Sequence, residues 1–225
     1  MNASLHVISD RTRHRLPFFE ALCEAAEGGA DVIQIREKKA PARETYNTVR
    51  DIQIYLHTHQ LQTNIFVNDR VDIAIAADLG GVHLAAKSLS IETAAALRRR
   101  SRWTGKIGCS VHTLEEAVQA EQAGVDYVTF GHIFPSASHP GVPPRGLDAL
   151  VRVVDGLTIP VIAIGGIDAA NIRDVLATGC SGIALIGAVL DAEDPRRAAY
   201  QLKEEMAKST ERPKILFAVR EDSLE

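Results

Sequence analysis

The sequence predicts a single α/β domain, a (β/α)8 TIM barrel with parallel strands, on three observations. Short, nearly continuous apolar runs alternate with helical stretches. Eight such units of ~25 residues fill most of the 225 positions. The glycine turns come late, after the seventh and eighth strands, and no GxGxxG follows the first, which disfavours an open doubly wound sheet.

Residues 5–8 form a β-favouring run, followed by Leu16, Phe19, Leu22, Cys23 and Ala26 at helical spacing. Gly28 and Gly29 end that helix, and residues 31–36 read as the second strand. Pro41 opens a long helix to about His59; residues 64–67 are strand three, with a short helix from Val71 to Ala77. Residues 81–84 form strand four, and Ser90 caps a helix whose arginine-rich end suits the negative pole of the helix dipole. Residues 106–109 are strand five, and Thr113 with Glu116 has the spacing of a capping box. Residues 126–130 give strand six, a proline- and glycine-rich loop follows to Gly146, and residues 159–164 give strand seven. Asp168 is the expected cap of the next helix, residues 182–186 are strand eight, and Pro195 starts the last long helix. The barrel is expected over residues 1–209. Residues 210–225 form an extension whose segment 213–219 reads equally as an added strand, a subunit contact or a tail.

With 25 basic and 29 acidic side chains, the net charge of −4 offers no general attraction for nucleic acid, while 46% apolar residues suffice for a large core. The start, Met1 to Ser4, has no basic head or apolar run, and no stretch approaches the ~20 apolar residues of a membrane span, so a cytoplasmic protein without membrane contact is expected. A homo-oligomer is compatible with the sequence. Cys23, Cys109 and Cys180 lack CxxC spacing and read as buried small hydrophobes; His57 and His59 have no carboxylate partner, so no metal site is assigned. His6 and His83 fall inside strands and should line the barrel, whereas His14, His57 and His59 read as surface residues.

Barrel active sites lie at the carboxyl ends of the strands. This selects Gln34, Arg36 and Lys38, which the strand period places on one side with Glu37 facing away, and then Asn68, Asp69, Ser110, His112 and His132. Arg36 offers a planar donor fork and Lys38 a mobile charge for an anion. Gly165 and Gly166 after strand seven, with Ile186 and Gly187 after strand eight, supply backbone amides for a phosphate. His132, directly after strand six, is the acid/base candidate.

These segments resemble the thiamin phosphate synthase superfamily over about residues 5 to 207. The shared motifs are Gln34-Ile35-Arg36-Glu37-Lys38, Val67-Asn68-Asp69, Gly81-Val82-His83-Leu84, the run from Ser110 to Ala117 and the run from Ile162 to Ile167. Thiamin phosphate synthases have a second magnesium-binding aspartate just after the GVHL segment, where this chain reads Ala85-Ala86-Lys87-Ser88. They also have Gly-Pro after strand six and a Thr-x-Thr-Lys loop, against Gly131-His132 and Ser136-Ala137-Ser138-His139 here. The Phe130-Gly131-His132-Ile133-Phe134 segment is instead similar to TenI-type thiazole tautomerases.

That likeness implies an isomerase that converts a carboxylated dihydrothiazole ethyl phosphate into its aromatic thiazole tautomer in thiamin biosynthesis. His132 would move the proton, Gln34, Arg36, Lys38, Asn68, Ser110 and His112 would bind the small phosphorylated substrate, and no cofactor would take part. A divergent magnesium-dependent synthase using Gln34, Arg36, Lys38 and Asp69 is the alternative, and a non-catalytic phosphate-ligand sensor a third reading.

Overall fold

The structure, a computed structural model, describes residues 3–13, 15–138 and 140–218. His14 and His139 therefore lie outside the described residues, as do Met1, Asn2 and residues 219–225.

Eight strands close into an all-parallel barrel in chain order: β1 (Ser4–Ile8), β2 (Val32–Ile35), β3 (Asn64–Asn68), β4 (Gly81–Leu84), β5 (Lys106–Val111), β6 (Tyr127–Gly131), β7 (Val161–Ile164) and β8 (Gly182–Leu185). Closure pairs β1 with β8, Ser4 opposite Gly182 and Val7 opposite Leu185. Outside run α1 (Phe18–Glu27), α2 (Ala42–Thr58), α3 (Val71–Ala76), α4 (Ile91–Ser101), α5 (Leu114–Gln122), α6 (Leu147–Gly156), α7 (Ile172–Leu176), the single-turn α8 (Gly187–Leu190) and α9 (Pro195–Ala207). Among the described residues no helix is long and apolar enough to cross a membrane.

The two-residue strand period splits the core into two layers. Val128 and Phe130 of β6 pack outward with the helices, whereas Tyr127 belongs to an inner cluster with Ile8, Val32, Phe66, Ile162 and Ala184. Glycines make room for the large inner rings: a Cβ on Gly81 would lie 2.4 Å from the Phe66 ring, and one on Gly108 would lie 2.1 Å from the Tyr127 ring. The three cysteines are free and buried, as expected.

Capping explains where the helices begin. Ser90 accepts from Thr93 N at 3.2 Å, and Thr113 from Glu116 N at 3.1 Å. The Glu116 carboxylate reaches His112 N at 2.6 Å, one residue before the cap. At α7 the expectation fails by three residues, because Asn171 occupies the N-cap. Asp168 instead closes a tight turn, its carboxylate accepting from Ala170 N at 2.8 Å.

The extension closes the floor of the barrel, the end where the strands begin. Lys214 N donates to Gly179 O at 2.9 Å and its ammonium pairs with Asp155. Phe217 then packs against the inner layer, with ring centroids 4.8 Å from His6 and 5.1 Å from Tyr127. The described residues 213–218 form no added strand, and Phe217 packs under the barrel.

Candidate functional site

The exits of β2, β3 and β4 build one hydrogen-bonded run. Gln34, buried at the end of β2, donates from Nε2 to Asn68 Oδ1 at 2.9 Å. Asn68 Nδ2 donates to Asp69 Oδ2 at 2.6 Å, and the Ser88 hydroxyl donates to Asp69 Oδ1. Asp69 turns out of β3 with φ 63°, a left-handed conformation that aspartate tolerates better than most residues. Ser88 is itself held by Ala85 N, which donates to its hydroxyl at 2.7 Å.

Arg36 follows the end of β2, its backbone N–H donating to Ser9 Oγ at 2.7 Å. Lys38 is exposed and lies beyond the strand, so its position is set by the loop and not by the strand period. Both cations act on Asp10 in the β1–α1 loop. Partial burial raises that carboxyl, but hydrogen bonds from Thr12 and the fields of Arg36 and Lys38 together hold it below its ordinary value. The Glu37 side chain is buried and pairs with Arg11 of the same β1–α1 loop.

Around the barrel, Ser110 is exposed at the end of β5 and its hydroxyl lies 2.9 Å from His83 Nε2. His83 is buried, which pulls its pKa down to about 4 against the opposing pull of Asp69. His112 lies on the rim with Nδ1 3.0 Å from Gly131 O. His132 is buried at 4% exposure, and its Nε2 lies 3.1 Å from Val142 O, so the β6–α6 loop engages the ring.

Gly165 and Gly166 leave β7 with φ 98° and 68°. A Cβ on Gly165 would lie 2.2 Å from His132 Cβ, and one on Gly166 would lie 2.5 Å from Pro135 O. Only glycine permits this left-handed turn at such close approach. Ile186 precedes α8 as its N-cap and Gly187 opens it, giving the short extra helix that carries phosphate in many barrels. Arg13 lies against this turn: a Cβ on Gly187 would come within 2.7 Å of its Nη2, which pairs with Asp191 at 2.5 Å. The local sequence pattern did not single out Arg13, Asp10 or Ser88 as site residues. Their signal was position alone, in loops following β1 and β4.

Among the described residues no group of three or more His, Cys, Asp or Glu is arranged to hold a metal. A magnesium ion needs less, since it commonly takes one or two carboxylates and completes its shell with water and substrate phosphates. Asp69, with the Ser88 hydroxyl beside it, fits that role when a diphosphate is present.

The family model described as thiamine monophosphate synthase matches residues 5–189. The thiamine-phosphate synthase of Pyrococcus furiosus is 42% identical over 199 residues, covering 88% of this chain and 92% of that one. The protein of the same name from Clostridium botulinum is 38% identical over 204 residues, covering 90% and 97%. The solved thiamine phosphate pyrophosphorylase from Pyrococcus furiosus superposes with a TM-score of 0.82 at 40% identity, covering 92% of this chain and 97% of that one. A 3-hexulose-6-phosphate synthase from Salmonella typhimurium, at 13% identity and TM-score 0.71, shares the barrel only.

These relatives correct the expectation of a thiazole tautomerase. Proteins alike along nearly the whole chain carry the name of a synthase, a transferase and not an isomerase. The expectation rested on a few local differences, at residues 85–88 and 131–139.

Proposed function

The chain belongs to the thiamine monophosphate synthase family, and from that premise we propose that it is a thiamine-phosphate synthase, joining a pyrimidine diphosphate to a thiazole phosphate with release of pyrophosphate. In this reaction the thiazole nitrogen forms a bond to the pyrimidine methylene carbon. The bond from that carbon to the diphosphate oxygen breaks, and its electron pair leaves with pyrophosphate.

The observation that carries the reading is the Gln34–Asn68–Asp69 run at the exits of β2 and β3, with Arg36 and Lys38 following β2 and acting on Asp10. Asp69 would hold Mg2+, which when bound supplies positive charge to the diphosphate. Arg36 and Lys38 stabilise the charge that develops on the leaving group. The Gln34 amide, fixed by Asn68, presents a polar edge to the pyrimidine. Gly165, Gly166, Ile186 and Gly187 hold the thiazole's phosphate on backbone amides, with Arg13 alongside. The reaction so written needs no proton transfer by His132, whose Cβ lies close against Gly165.

Incubating the protein with the pyrimidine diphosphate, the thiazole phosphate and Mg2+ should yield thiamin phosphate and pyrophosphate in equal amounts. Asp69→Ala should lower the rate by about 100-fold, the scale expected when charge stabilisation at a leaving group is lost. Absence of both products from the wild-type protein would overturn the reading.

A further inference from the structure

A second polar run crosses the barrel interior through three adjacent strands. His83 on β4 places Nδ1 3.0 Å from Tyr127 Oη on β6 and Nε2 2.9 Å from Ser110 Oγ on β5. Tyr127 is fully buried near the floor, ringed by His6, Phe66 and Phe217. Among the described residues, His83 Nδ1 is the partner of its hydroxyl. Ser110, at the other end, is exposed at the mouth.

A neutral imidazole donates at one nitrogen and accepts at the other. If Nδ1 carried the proton it would donate to Tyr127 Oη, and the buried phenol proton would be left without an acceptor. If Nε2 carries it, Tyr127 donates to Nδ1 and Nε2–H donates to Ser110 Oγ, so every buried polar proton is satisfied. A buried donor without a partner shifts such a balance by about tenfold or more. The second arrangement therefore dominates. It also occupies a lone pair of Ser110 and leaves the serine proton directed elsewhere.

We propose that Tyr127 and His83 are positioning residues that fix Ser110 as a hydrogen-bond donor to an oxyanion at the barrel mouth, the diphosphate group being the ligand it fits. The identity of that ligand rests on the synthase reading; the polarity of the run does not. A serine left to rotate would spend part of its time presenting lone pairs to an anion, which repels it. The run removes that choice before the ligand arrives.

Two measurements on the full chain test this. Nitrogen-15 NMR of histidine-labelled protein, with His83 assigned by its loss in His83→Gln, should show the Nε2–H tautomer; an Nδ1–H tautomer overturns the proposal. Inorganic pyrophosphate with Mg2+ is then titrated by calorimetry into wild type, Tyr127→Phe, Ser110→Ala and the double variant. Tyr127→Phe keeps the ring and should weaken binding about tenfold, yet cost less than about twofold once Ser110 is already alanine. Additive losses would show that the phenol matters to packing alone, and a wild-type protein that does not bind pyrophosphate would equally overturn the proposal. If wild type binds pyrophosphate with the expected tautomer but forms no thiamin phosphate, the synthase reading fails and the relay stands.

Discussion

The Ser88 hydroxyl donates a hydrogen bond to Asp69 Oδ1, so a neutral group sits against that carboxylate. Ser88→Asp would place two carboxylates in contact. Without metal their repulsion raises one pKa and destabilises the fold; with Mg2+ the pair becomes a better cation site. The expected outcome is a lower melting temperature in chelator, restored by Mg2+, and a roughly tenfold lower Kd for Mg2+, or ~1.4 kcal/mol. Equal melting temperatures in chelator for the two proteins would show that residue 88 does not approach Asp69.

Two glycines, one in the turn after β7 and one after β8, should respond differently to the same substitution. Gly165 has φ 98°, and its added Cβ would lie 2.2 Å from His132 Cβ and 2.7 Å from His132 Cα. Gly165→Ala is expected to cost about 3 kcal/mol or to prevent folding, visible as a lowered urea midpoint. At Gly187 the close atoms are the ends of Arg13 and Asp191, which swing away. Gly187→Ala should keep the urea midpoint within about 0.5 kcal/mol of wild type and weaken thiazole phosphate binding. A reversal of this order would remove the turn geometry from the argument.

Burial of His6 and His83 sets a pH dependence with a definite sign. Burial brings His6 to about 3, helped by repulsion from His83, and brings His83 to about 4. The unfolded chain binds protons at these side chains near pH ~6.5. Their contribution is therefore complete above that value and is lost as pH falls toward the folded values. Each contributes a slope of up to about 1.4 kcal/mol per pH unit in that window. Urea unfolding at about pH 7, 6 and 5 should show the loss, and His6→Gln should halve the histidine part of the slope. An unchanged slope in that variant would mean His6 is already solvated.

Local patterns exposed most of the barrel and part of its site. Ser90, Thr113 and Pro195 mark helix starts through contacts within four residues, so short-range chemistry reveals them. The places of Gln34, Asn68, Ser110 and the glycine turns at strand exits were legible because the alternation of strands and helices fixes where each strand ends. The Ser88–Asp69 contact and the Arg13–Asp191 pair were not, since they join loops 19 and 178 residues apart. The contact of His132 Nε2 with Val142 O was not legible either, since it depends on how the β6–α6 loop folds back over the strand end. No local pattern gives where Phe217 docks.

Phe217 sits at the floor of the barrel, and its removal tests whether the extension is part of the folding unit. The ring is partly buried against His6, Phe66 and Tyr127, with Lys106 Nζ 5.8 Å from its centroid. Full burial of such a ring stabilises by about 1.5–3 kcal/mol, so this partly buried one contributes roughly half of that. Phe217→Ala should lower the urea midpoint by that amount, with little compensation, because the rigid strands beneath do not collapse into the gap. Water would also reach His6, whose hydroxyl partner Ser4 lies 3.0 Å away at the same end. Its pKa should then rise from about 3 toward ordinary values, so the variant loses less stability on acidification than wild type does. Both effects must appear together. A lowered midpoint with an unaltered acid slope would show that Phe217 adds packing but does not seal the floor.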